Sequence, residues 1–206
     1  MSKKVLVLDY KTGNVDSVVK AIKILGYDPL FSSEKNKIDE CSKIILPGQG
    51  TYSHAIQELK KLDLLNDLKY KVKQNSIPVL GICLGMQILS YSGSEGTEQI
   101  GLNFIPGRVK ILKKSPNKIP HLGWNSVNFE KKDKLFREIE NNKDFYFIHS
   151  YYFECEDTKN IIGTTNYNQI FPSIVKKDNI YGVQFHPEKS LKNGLKILDN
   201  FLKINE

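Results

Sequence analysis

Apolar positions along the chain fall into two textures. From Val5 to about Ile100, short β-branched runs alternate with stretches in which apolar residues recur every three to four positions. Val5 to Leu8 reads as a strand, and Gly13-Asn14 turns the chain. Val15, Val18, Val19, Ile22 and Leu25 then share one helical face, closed by Gly26 as a C-cap. The unit recurs as Ile44 to Leu46, the turn Pro47-Gly48-Gln49-Gly50 and a helix from Tyr52 to Leu62. It recurs again as Val79 to Ile82 followed by a helix from Leu84 to Tyr91. Strands alternating with helices predict a parallel sheet covered on both faces. Beyond Ile100 the segments shorten, Tyr and Phe alternate with polar residues, and turns stand at Pro106-Gly107, Pro116-Asn117 and Asn141-Asn142. Antiparallel strands are expected at Gly107 to Leu112, Trp124 to Phe129, Phe145 to Phe153, Ile161 to Tyr167, Ile174 to Lys177 and Ile180 to Gln184, with a last helix from Leu191 to Ile204. The expected fold class is α/β: an open mixed, mainly parallel sheet flanked by helices, with additional antiparallel strands in the C-terminal half. No internal repeat or low-complexity linker divides the chain, so both textures are expected in one sheet and one domain over 1–206.

Composition narrows the class without changing that picture. The chain has 206 residues and a formal charge of +7, which comes almost wholly from lysine because Arg108 and Arg137 are the only arginines. Those lysines are scattered, whereas phosphate recognition favours clustered bases, so a solvated surface is expected and not a nucleic-acid groove. The first apolar run is only four residues and ends at Asp9, which is not a signal peptide, and no run approaches the about 18 apolar residues of a membrane helix. Cys41, Cys83 and Cys155 are odd in number and widely spaced, which predicts a reducing, cytoplasmic setting with no disulfide framework and no zinc site.

Three motifs carry chemistry. Gly81-Ile82-Cys83-Leu84-Gly85 places a cysteine between two glycines at a strand-to-helix junction, where glycine permits a sharp turn and a helix start lowers the cost of negative charge on sulfur. A small buried core cysteine is the competing reading there, and it wins for Cys41 and Cys155, which lack such a setting. In Tyr181 to Ser190, YGVQFHPEKS, residues two apart on an extended segment point the same way, so the Glu188 carboxylate can orient His186 as a general base. A surface turn or a metal-ligand pair are the alternatives, and no short-spaced third ligand supports a metal. His149, in FYFIHSYYF, reads as a hydrogen-bonded core histidine, and His54 as an exposed helix residue. The PGQG loop can aim backbone N–H groups at an oxyanion, together with the N–H of Leu84; it can equally bind phosphate or simply turn. The three together specify acyl transfer from a thiol better than any one alone.

PGQG, GICLGMQ and GVQFHPE, in this order and spacing, resemble the class I glutamine amidotransferases over nearly the whole chain. The resemblance implies a flavodoxin-like fold and a catalytic triad of Cys83, His186 and Glu188 acting on L-glutamine. It further implies an oxyanion hole from Gly48, Gln49 and Leu84, glutamine contacts from Gly50, Gln87, Ser150 and Tyr151, and no cofactor or metal. Within the family, LDYKTGNVDSVVKAI, GLNFIPGRV, KIPHLGWNSV and FYFIHSYYFE are similar to the branch of glutaminase subunits that pass ammonia to the cyclase subunit of imidazole glycerol phosphate synthase. That likeness implies a heterodimer whose partner faces Asn14, Trp124 and Lys189, with Trp124 an exposed anchor in a turn-like setting. The chain departs from the branch at Lys11-Thr12, where glycine is usual after Tyr10, at Gln49, where valine is common, and at Asn103, where glycine is frequent. Two other functions fit the same motifs: a catalytically silent binding subunit, and a paralogue feeding ammonia to a nucleotide-sugar synthase. A thiol peptidase fits less well, since no extended peptide groove is legible.

Overall fold

The structure is a computed structural model that describes residues 4–13 and 15–204. In chain order its elements are β1 (Lys4–Leu8), α1 (Asp16–Ile24), β2 (Pro29–Ser32), α2 (Lys35–Glu40), β3 (Cys41–Leu46), α3 (Tyr52–Lys61), α4 (Leu65–Asn75), β4 (Val79–Ile82) and α5 (Leu84–Gln87). There follow β5 (Ser92–Gly93), β6 (Gln99–Ile100), β7 (Gly107–Ile111), β8 (His121–Phe129), β9 (Lys143–His149), β10 (Tyr151–Cys155), β11 (Ile161–Asn166), β12 (Ile170–Lys177), β13 (Ile180–Val183) and α6 (Leu191–Leu202).

Nine strands form one mixed sheet in the order β2-β1-β3-β4-β13-β12-β11-β8-β9. The pairs from β2 through β13 are parallel, and those from β13 through β9 are antiparallel. The central strands are buried on both faces, as their unbroken apolar sequences require. One core, containing Val18, Ile22, Phe145, Phe185 and Phe201, packs α1 and α6 against one face. The other, with Leu46, Ile56, Leu59, Leu68 and Met86, packs α3 and α4 against the opposite face.

Four expectations from the sequence are corrected. The antiparallel strands do not all join one sheet: β10, β7, β5 and β6 make a separate four-stranded sheet. The run Phe145 to Phe153 is two strands, because the chain leaves β8 at His149 and pairs with β7 from Tyr151, in different sheets. Aromatic alternation continues through the break, so periodicity cannot register the change of partner. The helix expected from Leu84 to Tyr91 ends at Gln87 after about one turn. Trp124 sits within β8, paired with Tyr146, and not in a turn.

Candidate active site

The parallel strands β3, β4 and β13 end side by side, and each delivers one motif to the same edge. At the end of β4, Cys83 holds φ 52° and ψ −107°, a strained conformation for a residue with a Cβ. The flanking glycines are required by contact. A Cβ on Gly85 would lie 1.8 Å from the Leu46 carbonyl oxygen, and one on Gly81 would lie 2.5 Å from that of Gly85. Strand β3, the elbow and the short helix α5 are thus interlocked, and the sulfur is held at the sheet edge.

His186 lies just past the end of β13. Its N–H donates to the Tyr146 carbonyl at 2.9 Å, and its own carbonyl accepts from the Ser190 hydroxyl at 2.6 Å, which clamps the turn onto β9. Its Nδ1 is 2.8 Å from Glu188 Oε1, with both side chains 2% exposed. Nε2 is buried without a hydrogen-bond partner, and the ring interacts with Cys83. Burial pushes the imidazole pKa down, but the Cys83 sulfur and the Glu188 carboxylate outweigh it and raise the value to about 10. The site therefore favours a proton on His186. Burial pushes the thiols of Cys41 and Cys155 up to about 11 and about 12; neither is a competing nucleophile.

A cavity of about 190 Å³ opens at Cys83, and its lining includes Gln49, Gly50, Leu84, Gln87, Ser150 and Tyr151. These are residues that the family resemblance assigned to oxyanion and substrate contacts. Gly48 lies behind the wall, where a Cβ would meet the Tyr10 hydroxyl at 2.6 Å and Leu84 Cβ at 3.2 Å. The buried Tyr10 phenol, its pKa raised mainly by desolvation, donates to the Pro47 carbonyl and pins the loop entry. Gln87 Nε2 donates to the Tyr151 carbonyl at 2.8 Å and to Gln184 Oε1 at 3.2 Å, so its own carbonyl is the atom left for a ligand. Leu84 stands in the first turn of α5, where an N–H has no partner within the helix.

Three contributors, Glu95, Ile148 and Gln184, were not singled out from the sequence. Glu95 and Ile148 line the cavity. Glu95 accepts from the Tyr52 N–H at 3.1 Å, and burial raises its pKa; it reaches the site from a loop with no local pattern to mark it. Gln184 Nε2 donates to the Cys83 sulfur at 3.6 Å, and the alternation of β13 into GVQFHPE carried the only hint of it. His149 is a buried hydrogen-bonded histidine, as expected, although it also borders the cavity, and His54 is exposed.

Of the positions implied to face a partner, Asn14 lies outside the described residues. Trp124 is 49% exposed, outside the cavity, and Lys189 follows Glu188 on the Pro187–Lys189 turn. Leu122 and Trp124 point the same way from β8, opposite Ile148 and Tyr146 on β9. The result is an exposed apolar patch that reaches the cavity mouth at Ile148. Two departures from the family pattern prove conformational: Lys11 and Asn103 take φ 61° and 53°, a region in which glycine is unstrained. Lys11 is held there by both oxygens of Asp9. Among the described residues, no group of three or more His, Cys, Asp or Glu side chains converges where a metal ion could sit, and no helix is long and apolar enough to cross a membrane.

The family model described as glutamine amidotransferase class-I matches residues 6–204. The chain is 47% identical over 200 residues to imidazole glycerol phosphate synthase subunit HisH 2 of Methanococcus maripaludis, covering 97% of this chain and 98% of that one. It is 40% identical over 201 residues to subunit HisH 1 of Campylobacter jejuni, covering 97% and 100%. Among solved structures, a glutamine amidotransferase from Thermotoga maritima superimposes with a TM-score of 0.70 at 17% identity, covering 99% of this chain and 98% of that one, a likeness of fold alone. Motif order, the interlocked elbow and full-length similarity converge: the chain belongs to the class I glutamine amidotransferase family, in the branch of the HisH subunits.

Proposed function

We propose that this chain is the glutaminase subunit of imidazole glycerol phosphate synthase, one amidotransferase domain over 1–206, working in the cytoplasm as a heterodimer with a cyclase subunit. The observation that carries the reading is the convergence of Cys83, the His186–Glu188 pair and the PGQG loop on one small cavity. His186 Nε2 takes the thiol proton, and the Cys83 sulfur attacks the carboxamide carbon of L-glutamine. The N–H groups of Leu84 and of the Gly48-Gln49 loop stabilise the tetrahedral oxyanion. The imidazolium returns its proton to the departing nitrogen, ammonia leaves, and a glutamyl thioester remains. Water, deprotonated by His186, resolves the thioester to glutamate and the free thiol. Glu188 keeps the proton on Nδ1 throughout. Gly50, the Gln87 carbonyl, Ser150 and Tyr151 hold the substrate, and the Glu95 carboxylate faces its ammonium group. No cofactor enters the cycle.

Ammonia passes to the cyclase, which makes imidazole glycerol phosphate and the aminoimidazole carboxamide ribotide. The patch of Leu122, Trp124, Tyr146 and Ile148 supports this reading, because a partner covering it closes the cavity mouth. A second reading rests on the numbering of the relatives. HisH 2 and HisH 1 are names for multiple copies, and an additional copy can supply ammonia to a nucleotide-activated sugar. Glutamate release by the chain alone, and with the nucleotide substrate plus the same organism's cyclase, decides between them. Low basal turnover, strong stimulation in the complex and its loss in Cys83→Ala are expected. A folded chain that neither binds nor is stimulated by the cyclase overturns the histidine-pathway reading.

A further inference from the structure

His121 and His149 stand opposite each other on β8 and β9, 2% and 6% exposed. The chemistry above uses neither. His121 Nδ1 is 3.0 Å from His149 Nε2, His149 Nδ1 is 2.8 Å from the Tyr151 carbonyl oxygen, and Asn125 Nδ2 is 3.2 Å from His121 Nε2. We propose that Asn125, His121 and His149 form a one-directional hydrogen-bond chain that positions the Tyr151 wall of the cavity for glutamine. The proposal rests on the reading of that cavity as a glutamine pocket.

The direction follows from the ends. The Tyr151 carbonyl can only accept, so His149 carries its proton on Nδ1 and presents a lone pair at Nε2. That lone pair requires a proton on His121 Nδ1, which leaves His121 Nε2 as an acceptor. At the far end, the Ser126 N–H occupies Asn125 Oδ1 at 2.8 Å, and Asn125 Nδ2 also donates to the Asn166 carbonyl at 3.1 Å. The Asn125 amide is therefore fixed with its second N–H toward His121. Burial lowers the pKa of His121 to about 4 and that of His149 to about 3, which keeps both rings neutral near pH 7, with one donor and one acceptor each. His121 is stacked at 4.0 Å on Tyr167 and at 4.7 Å on Phe147, so it cannot turn to reverse the order.

The consequence lies at Tyr151. Its carbonyl receives His149 Nδ1 and Gln87 Nε2, both at 2.8 Å, which fills both lone pairs. With Gln87 also donating to Gln184, the amide of Gln87 cannot flip, and its carbonyl stays available to the cavity. A reversed chain would set the His149 Nδ1 lone pair against the Tyr151 carbonyl. That repulsion would displace the β9–β10 break, which carries Ser150 and Tyr151, both in the cavity wall.

The test uses the full chain in a Cys83→Ala background, where calorimetry reads glutamine affinity without turnover. His149→Phe keeps the ring and removes both hydrogen bonds; its Kd is expected to rise ~10-fold or more, the scale of a buried carbonyl losing one of its donors. His149→Asn, whose amide nitrogen occupies the place of Nδ1, is expected to recover most of the affinity. His121→Phe keeps the stack and breaks the chain one ring further out, with a smaller expected rise. In the unsubstituted chain, the ¹⁵N resonances of both imidazoles should report the Nδ1–H tautomer, a measurement that needs no variant to fold. Affinity within about twofold of the parent in His149→Phe, or an Nε2–H tautomer at either ring, overturns the proposal. If the Cys83→Ala parent itself fails to bind glutamine while the tautomers are as stated, the reading of the cavity falls and takes the positioning role with it.

Discussion

Replacing Glu188 by glutamine preserves its size and removes its charge, and the surroundings leave the new amide two ways to sit. Glu188 Oε1 is 2.8 Å from His186 Nδ1, and Oε2 is buried without a partner. With the glutamine carbonyl on Nδ1, the tautomer survives, but the bond is no longer charge-assisted and an NH₂ group takes the unpartnered position. The weaker bond costs about 1 kcal/mol and the unsatisfied buried donor about 1–3 kcal/mol. With the NH₂ on Nδ1, the imidazole proton moves to Nε2 and the base has no lone pair for the thiol. The weaker bond alone corresponds to a fall in kcat of roughly 5-fold or more, the unsatisfied donor lowering stability instead because it is present in ground and transition state alike. KM for glutamine should change by less than about threefold, since Glu188 is not in the cavity lining. The pKa of His186, lowered by burial yet raised overall to about 10 by Cys83 and Glu188, should drop by at least about one unit, equivalent to about 1.4 kcal/mol. Steady-state glutamate release gives the first quantity. The alkaline limb of Cys83 alkylation by iodoacetamide gives the second, independently of any partner. A loss of kcat below about threefold with an unmoved limb refutes the assignment of Glu188 as the group that orients and charges His186.

The ionisation of the same histidine shapes stability. Because the folded pKa of His186 is raised from 6.5 to about 10, its contribution is fully present below 6.5 and disappears as pH rises through about 10; Tm should fall over that interval, and less steeply in Cys83→Ala. His121 and His149 act in the other direction, lowered from 6.5 to about 4 and about 3, so their contribution is lost as pH falls from 6.5 toward those values. At pH 5 each costs about 2 kcal/mol, and His121→Phe should flatten the acid side of a Tm–pH curve; an unchanged acid limb refutes this. Gly85→Ala drives a Cβ to 1.8 Å from the Leu46 carbonyl and should destabilise the chain by about 3 kcal/mol or more, read by urea denaturation; a wild-type midpoint would mean that elbow and strand are not interlocked. Trp124→Ala should leave Cys83 alkylation in the isolated chain unchanged while weakening binding to the cyclase by roughly 30-fold or more, the range of a central aromatic anchor; equal affinity would place the docking face elsewhere.

What the sequence determined by itself is what short-range sterics and chemistry write into a few adjacent residues. Gly81 and Gly85 around Cys83 marked an elbow because a Cβ at either meets backbone, and the two-residue spacing of His186 and Glu188 set an imidazole beside a carboxylate. Hydrophobic period located the central strands β1, β3, β4 and β13 and the helices α1, α3 and α6, whose buried faces are continuous along the chain. Weakly patterned elements escaped it. Strand β2 and helices α2 and α4 were not expected, and α4 is held by a thin stripe, including Leu68 and Val72, in a mostly polar segment.

Tertiary structure alone decided which distant residues share a surface. Pairing partners are not encoded in alternation, so the change of sheet between His149 and Tyr151 was invisible in an unbroken aromatic run. That change sets Ser150 and Tyr151 into the cavity wall and places His149 against His121. Glu95 and Gln184 reach Cys83 or its cavity only through the packing of α3 and the register of β4 against β13. Their roles depend on position in space, which no local spacing in this chain specifies.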